Sequence, residues 1–393
     1  MTAELRQMSR IDLLDGDLYA GDPRPTYAWL RANAPVYYDE QNGLWGVSRH
    51  ADICAIERDP QLWTSTGGFR PQLPSDQSMI AKDDPEHLCQ RRLVYQRFTP
   101  RGIADYESRI RSIVAELIDA AVEEGTVDAV EAMAAPLPGR VIGWMLGFPD
   151  ERWPDLVRWS TTTMPAGGGL RYVTEKAVTA AGECAVAVLE LAAERRRNPQ
   201  HDLVSLWVHS EDPTYDDERL VSEAIMLLDG GAETTRTVIA DTIDALIRHP
   251  DQRELLRTSP ALLPDAVEEF VRWSTPILNM CRTATRDTVL GGEKIASGQQ
   301  VLLMYGSANL DEAVFDDPDV FNVRRKPGGH IAFGLGTHFC LGAALARLEL
   351  RVFFEEYLRR VGRAEWADAH GPRRVPNAFV PTVSHFPVTV AGW

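Results

Sequence analysis

The amino-acid sequence predicts a mainly α chain with a smaller β region. Three observations carry this. Residues 218–248 keep apolar residues at helical spacing for about 30 positions, until His249-Pro250 ends the run. From Leu341 the pattern is helical again, with Leu341, Leu345, Leu348 and Phe353/Phe354 on one face and Gly362 as the stop. Stretches within 36–48, 276–310 and 375–390 read instead as short strands.

Composition bounds the answer. The chain has 393 residues, 44% of them hydrophobic, enough for a large core. That length suggests two or three domains, but no linker, repeat or low-complexity run divides it, so residues 1–393 read as a single domain. No apolar run nears 18 residues, which argues against a membrane anchor. The opening MTAELRQMSRIDLL mixes charges with leucines and lacks the apolar stretch of a signal peptide. A soluble, cytoplasmic protein is expected. The five cysteines are scattered and odd in number, against a disulfide framework. Nor do they form an iron–sulfur ligand set. A net charge of −16 argues against nucleic acid as a partner.

The elements follow in order. Tyr27–Asn33 reads as helix, stopped by Ala34-Pro35. Val36–Tyr38 and Leu44–Ser48 read as a hairpin about Asn42-Gly43, a strong turn dipeptide. Arg49–Arg58 returns to helix. Residues 62–83 form a long irregular loop with two glycines and two prolines, and such loops often bind ligands. Met79 and Ile80 near its end either face a ligand or pin the loop to the core. Pro85 and two acids open the next helix, which sets His87 and Arg91 four apart on one face. That face is either solvated or able to grip an anion. Residues 103–160 alternate helical patterns with short breaks. Residues 160–175 hold a glycine triplet, read as a flexible hinge or loop tip.

The long helix carries Leu228-Asp229-Gly230-Gly231-Ala232-Glu233-Thr234-Thr235 at its middle. Two glycines there cost about 1 kcal/mol each against alanine. The return is tight packing or room for a small ligand. Glu233 and Thr234, an acid and a hydroxyl, are able to relay protons. Pro264–Trp273 is a short helix with Glu269 and Arg272 on one face, a pair worth little if exposed. Strands follow at Pro276–Arg282, Thr288–Leu290 and Val301–Tyr305, and a final hairpin spans Val375–Val390.

Phe333–Glu349, FGLGTHFCLGAALARLE, organises the rest. Cys340 sits between a glycine-rich loop and a helix start, where free N–H groups and the positive dipole end favour thiolate. Alone, a cysteine is a small buried apolar residue. A zinc site would need more ligands than His338 supplies nearby. A single thiolate in a glycine loop, with Phe333 seven residues before it, suits an axial ligand to a haem.

The run Phe333-x-x-Gly336-x-His338-x-Cys340-x-Gly342 resembles the haem-binding signature of the cytochrome P450 monooxygenases. The resemblance covers nearly the whole chain and implies that family's fold, haem b and O2. It makes Cys340 the iron ligand, with Phe333 and Gly342 in the cofactor loop. The stretch around His87 and Arg91 is similar to the family's propionate-binding helix, and Arg282 and His338 would complete that set. Asp84, replacing a proline, should alter only the helix entry. Gly230–Thr234 matches the oxygen-site motif. By that resemblance Thr234 hydrogen-bonds the oxygen species and Glu233 takes part in proton delivery. Glu269-x-x-Arg272 looks like the family's buried structural pair, completed by Arg325 or Arg324. Substrate contacts would come from Met79, Ile80, Asp229, Gly230, Ile277 and Phe379, the last at the tip of the final hairpin. Asp229 departs from the usual aliphatic residue. It either pairs with an arginine or meets a polar substrate group. The Gly-rich segment and its flanking helices would form a lid.

These readings imply hydroxylation of a C–H bond, with electrons from a ferredoxin and its ferredoxin reductase docking near Arg91, Arg92 or Arg347. NMCRTATRD, GTHFCLGAALARLEL, GGFRP and Asn377–Val380 look like the actinobacterial members that oxidise the cholesterol side chain, so a steroid or similar bulky lipid is expected. The alternative is a tailoring hydroxylase of secondary metabolism, suggested by Asp229 and the glycine-rich lid. A haem sensor or carrier would not need Glu233 and Thr234.

Overall fold

A computed structural model describes residues 10–212, 215–326 and 328–393. Eight helices build its larger part: α1 (Glu86–Phe98), α2 (Glu107–Glu124), α3 (Pro136–Leu146), α4 (Trp153–Thr163), α5 (Glu175–Arg197), α6 (Asp217–Arg248), α7 (Leu263–Ser274) and α8 (Ala343–Arg360). Strands β1 (Val36–Asp39), β2 (Leu44–Val47), β3 (Trp63–Thr64), β4 (Met280–Ala284) and β5 (Gln300–Leu303) form a sheet in the order β1-β2-β5-β4-β3.

Helix α6 is the axis of the helical part. The Asp216 side chain caps it by accepting the Arg219 N–H at 2.9 Å. Asp217 and Glu218 suit the positive end of its dipole and Arg248 the negative end. It packs against α3, α4, α5, α7 and α8, which is why apolar residues cover most of its faces. Leu228, Ile239, Ala240, Ile243 and Leu246 are essentially inaccessible there.

The sheet lies at the other side. β1 and β2 pair antiparallel with Val36 opposite Val47, and Gly43 takes the positive φ that the turn needs. β2 pairs parallel with β5, and β5 antiparallel with β4. The last stretch is more than a hairpin. Arg373–Arg374 pairs with Val383–His385, but Pro387–Gly392 leaves to pair with Val361–Trp366 and Thr126–Asp128.

The glycine triplet is not a loose tip. It closes a short 3₁₀ turn, Met164–Gly168, between α4 and α5. Asn377 Nδ2 donates to Pro165 O at 2.8 Å, and Arg70 Nε to Gly167 O at 2.5 Å. A Cβ at Gly167 would lie 2.3 Å from the Phe379 ring. Close packing, rather than flexibility, requires that glycine.

On α7, Glu269 is buried and bonded twice by Arg272, at 2.7 and 2.9 Å. Arg325 Nε reaches the same carboxylate at 2.9 Å, and its other donors hold the carbonyls of Asp316, Asp317 and Val320. Both ends of this buried charge cluster are therefore matched.

Candidate active site

A cavity opens between α6 and the Cys340 loop. Gly230, Gly231 and Thr234 line one wall, and Phe333, Cys340 and Gly342 the opposite one. Met79, Ile80, Met226, Leu227, Ile277 and Met280 give it an apolar side. His87, Arg91, Arg282 and His338 gather elsewhere on its lining, with Glu57 and Tyr305.

Cys340 lies two residues before Gly342, the residue that precedes α8. Its N–H bonds Phe333 O at 2.8 Å, which closes the loop. The expected lowering of the thiol pKa is not found. Burial pushes it up, against the opposing N–H groups of Gly342 and Ala343 and the charges of Arg91 and Arg347. Desolvation outweighs the helix terminus here. A coordinated metal would reverse the balance, since a coordinating thiol is deprotonated outright.

The cationic group is preorganised. His87 Nδ1 lies 3.0 Å from Asp84 Oδ1, so Asp84 orients the ring and does more than alter the helix entry. His87 Nε2 is buried without a partner. The His87 and His338 rings sit 4.4 Å apart, and His338 Nε2 lies 3.1 Å from Ser65 Oγ. Burial, then the charges of Arg282, His87 and Arg91, push His338 down to about 2, so its ring is neutral. Arg91 donates to Phe339 O at 2.7 Å. Arg282 donates to Cys281 O at 2.8 Å and stands 3.5 Å from Glu57 Oε1. Tyr305 donates to that same oxygen at 2.6 Å.

Thr234 and Glu233 part company. Thr234 lines the cavity, with its hydroxyl donating to Gly230 O at 2.5 Å. Glu233 does not line it. Its carboxylate is buried and bonded to Thr161 at 2.7 Å, Arg236 at 2.8 Å and Thr382 at 3.2 Å.

Two of the expected substrate contacts lie off the cavity. Asp229 meets neither an arginine nor the cavity. Thr163 on α4 donates to its two oxygens at 2.9 and 3.1 Å. Burial, reinforced by the Glu233 charge and opposed by the Thr163 and Ser160 hydroxyls, pushes its carboxyl up to about 8. The reason is rotational: Asp229 and Glu233, four apart, share the α6 face toward α4, while Gly230 and Thr234 share the next. Phe379 stands behind Ile277 and Met280, packed with Met164, and its ring lies 3.6 Å from the Arg70 guanidinium carbon.

Several residues were missed. Arg70 stands inside GGFRP, yet nothing local marks it as buried, and its partners Gly167 and Asn279 are far away in sequence. Glu57 ends a helix that reads as packing alone. Glu223 leaves a signal, an acid inside the apolar run Leu220–Leu228.

The cavity fits a haem. A single thiol faces it from a glycine loop. Cβ atoms at Gly230 and Gly342 would meet nothing within 4 Å, so both glycines leave open space. The arginines Arg91 and Arg282 supply donors for carboxylates, and the orphaned His87 Nε2 adds one when the ring is protonated, its Nδ1–H being directed to Asp84. Among the described residues no group of three or more His, Cys, Asp or Glu side chains could hold a metal ion by itself.

The sequence model of the family described as cytochrome P450 matches residues 174–362. The chain is 42% identical over 391 residues to a steroid C26-monooxygenase of Mycolicibacterium smegmatis, covering 95% of this chain and 96% of that one. It is 43% identical to a steroid C26-monooxygenase of Mycobacterium tuberculosis, covering 89% of each. The structure of CYP109E1 from Bacillus megaterium in complex with testosterone superposes with a TM-score of 0.87 at 29% identity, covering 94% of this chain and 98% of that one. The chain belongs to the cytochrome P450 family. It is a cytochrome P450 monooxygenase, an oxidoreductase; the family implies a haem-thiolate iron cofactor, O2, a small-molecule substrate and redox partners. No helix among the described residues is long and apolar enough to cross a membrane.

Proposed function

We propose that this protein hydroxylates the side chain of a steroid such as cholest-4-en-3-one. It does so in the cytoplasm, as one domain over residues 1–393. The observation that carries this is the 42% identity over 95% of the chain to a steroid C26-monooxygenase. The apolar wall of Met79, Ile80, Met226, Leu227, Ile277 and Met280 supports it, because a sterol is recognised mainly by apolar burial. The reading of a polar natural-product substrate loses its chief support, because the Asp229 carboxyl bonds Thr163 instead.

Bound through the Cys340 sulfur, a haem b would supply the iron chemistry that inserts one oxygen atom of O2 into a C–H bond and, with two electrons and two protons, releases the other as water. His87, Arg91, Arg282 and His338 would hold its carboxylates. The Thr234 hydroxyl holds a proton at the cavity wall, now directed to Gly230 O. Glu233 supports α6 behind it and reaches the cavity only by leaving Arg236. Met79, Ile80 and Ile277 exclude water and orient the sterol.

Electrons come from a ferredoxin kept reduced by a ferredoxin reductase. Of the three arginines considered for docking, Arg347 is committed to Glu268 at 2.6 and 2.7 Å, and Arg91 to Phe339 O. Arg92 is exposed and carries the docking role best. Arg92→Glu should slow reduction by a ferredoxin at low salt; an unchanged rate removes that contact. The function is tested by turnover of cholest-4-en-3-one with a surrogate ferredoxin and reductase. A product one oxygen heavier, hydroxylated on the side chain, supports it. Turnover confined to polar compounds overturns it.

A further inference from the structure

Glu223 lies on α6 two turns before Gly230 and is fully inaccessible. Its Oε1 accepts the Met79 N–H at 2.9 Å, across 144 positions of sequence. Its Oε2 has no hydrogen-bond partner. Met79 opens the 3₁₀ turn Met79–Ala81, and both Met79 and Ile80 line the cavity. The turn is organised within its own loop by Asp76, whose Oδ1 accepts from the Ser78 N–H at 2.8 Å and the Ser78 hydroxyl at 2.5 Å. Among the described residues, the Glu223 bond is the one that carries the turn's backbone to α6.

A carboxyl in this place is expensive. Leu220, Ala224 and Leu227 beside it are buried and apolar, while Arg219 one turn earlier only partly offsets the cost of burial, so a leucine would bury more favourably than an acid with one oxygen unmatched. Burial pushes the carboxyl up to about 8, so it is mostly neutral near pH 7, which lessens the cost without removing it. What the acid provides is an acceptor at the one height on α6 that meets Met79. In this loop of twenty-odd irregular residues, Arg70 and the Phe69 carbonyl anchor the first half, and the Glu223 bond anchors the turn that carries Met79 and Ile80 to the cavity.

We propose that Glu223 is a positioning residue for substrate selection: by holding the Met79 backbone against α6 it fixes how far Met79 and Ile80 project into the cavity, and so which substrates fit. Glu223 itself touches no substrate. The proposal rests on the steroid reading only for its choice of ligand; the tie and the wall do not depend on it.

The test compares wild type, Glu223→Gln and Glu223→Leu as haem-loaded protein. Amide exchange over residues 77–82 is followed without ligand. KM and kcat are then measured with cholest-4-en-3-one and with the smaller testosterone. A hydrogen bond of ordinary strength corresponds to roughly a tenfold effect. Exchange at Met79 in the leucine variant should rise about that much. Its KM for the larger steroid should rise about as much, with kcat within about twofold and the preference between the two steroids narrowed. The glutamine variant keeps an acceptor oxygen and should restore wild-type exchange and KM. Wild-type behaviour of the leucine variant, failure of glutamine to rescue, or a fall in kcat at constant KM overturns the proposal. If the leucine variant does not fold, the wild-type Met79 amide decides. Protection like that of α6 amides supports the tie, and exchange at the rate of exposed loops overturns it. A wild type that binds neither steroid would sink the substrate reading while leaving the exchange result to judge Glu223.

Discussion

Glu233 and Arg236 face each other at 2.8 Å across one turn of α6, both buried, immediately behind the cavity-lining Thr234. Thr161 of α4 bonds both partners, and Arg236 Nη2 donates to Val383 O at 3.0 Å. One charge pair thus joins α4, α6 and the C-terminal strands. Arg236→Met strands a buried carboxylate and should destabilise the protein by about 3 kcal/mol, since breaking one side of a buried pair leaves a bare charge. Glu233→Gln should cost less, because an amide still bonds Thr161 and Thr382. Denaturant unfolding of the two variants checks the order.

Thr234 has a different consequence. Its hydroxyl hangs from α6 by a bond to Gly230 O, and alanine suits a helix. Thr234→Ala should fold normally and bind substrate as wild type does. The product formed per O2 consumed should fall about tenfold or more, because a positioned proton donor is lost. Thr234→Ser should keep most of it. Oxygen-electrode traces set against product yield measure this ratio.

Asp229 predicts a pH dependence. Its folded-state pKa, about 8, lies above its ordinary 3.8, so the folded protein holds this proton longer than the unfolded chain does. The neutral form's contribution is fully present below about pH 4 and is lost as pH rises to about 8. Asp229→Asn keeps an acceptor for Thr163 without the ionisation. Its melting temperature should match wild type near pH 4 and exceed it by a few degrees at pH 8. A difference independent of pH contradicts this account.

Arg70 ties the 62–83 loop to the α4–α5 turn. It donates to Gly167 O at 2.5 Å, Asn279 O at 2.6 Å and Asn279 Oδ1 at 2.9 Å, over the Phe379 ring. Its contacts there are neutral, and burial pulls its pKa down to about 10. Arg70→Met should cost about 3 kcal/mol through lost charge-assisted hydrogen bonds. Gly167→Ala, whose Cβ would press the Phe379 ring, should cost about 1–3 kcal/mol by overpacking. Calorimetry on both variants, with amide exchange over 164–172, tests the tie.

The parts legible in the sequence share a cause: their signal is local. Helix α6 announces itself by periodicity and by His249-Pro250, the β1–β2 hairpin by Asn42-Gly43, and the cofactor loop by the spacing of Phe333, Cys340 and three glycines. What stayed hidden depends on which face meets which neighbour. Nothing in Leu228–Thr235 tells that Asp229 turns to Thr163, 66 positions away, while Thr234 turns to the cavity. At Cys340 the helix terminus is visible in sequence, while the burial that pushes the thiol up is not. The glycine triplet misled in the same way: a flexible composition was packed tight by Phe379, more than 200 positions downstream.

The most direct measurement is an optical titration of the purified ferric protein with cholest-4-en-3-one, beside the reduced carbon monoxide spectrum. A thiolate-type Soret band with a shift to high spin on adding the steroid is the predicted result. A thiolate spectrum that shifts only with polar compounds would contradict the steroid assignment, and a Soret band of the non-thiolate type would contradict the role of Cys340.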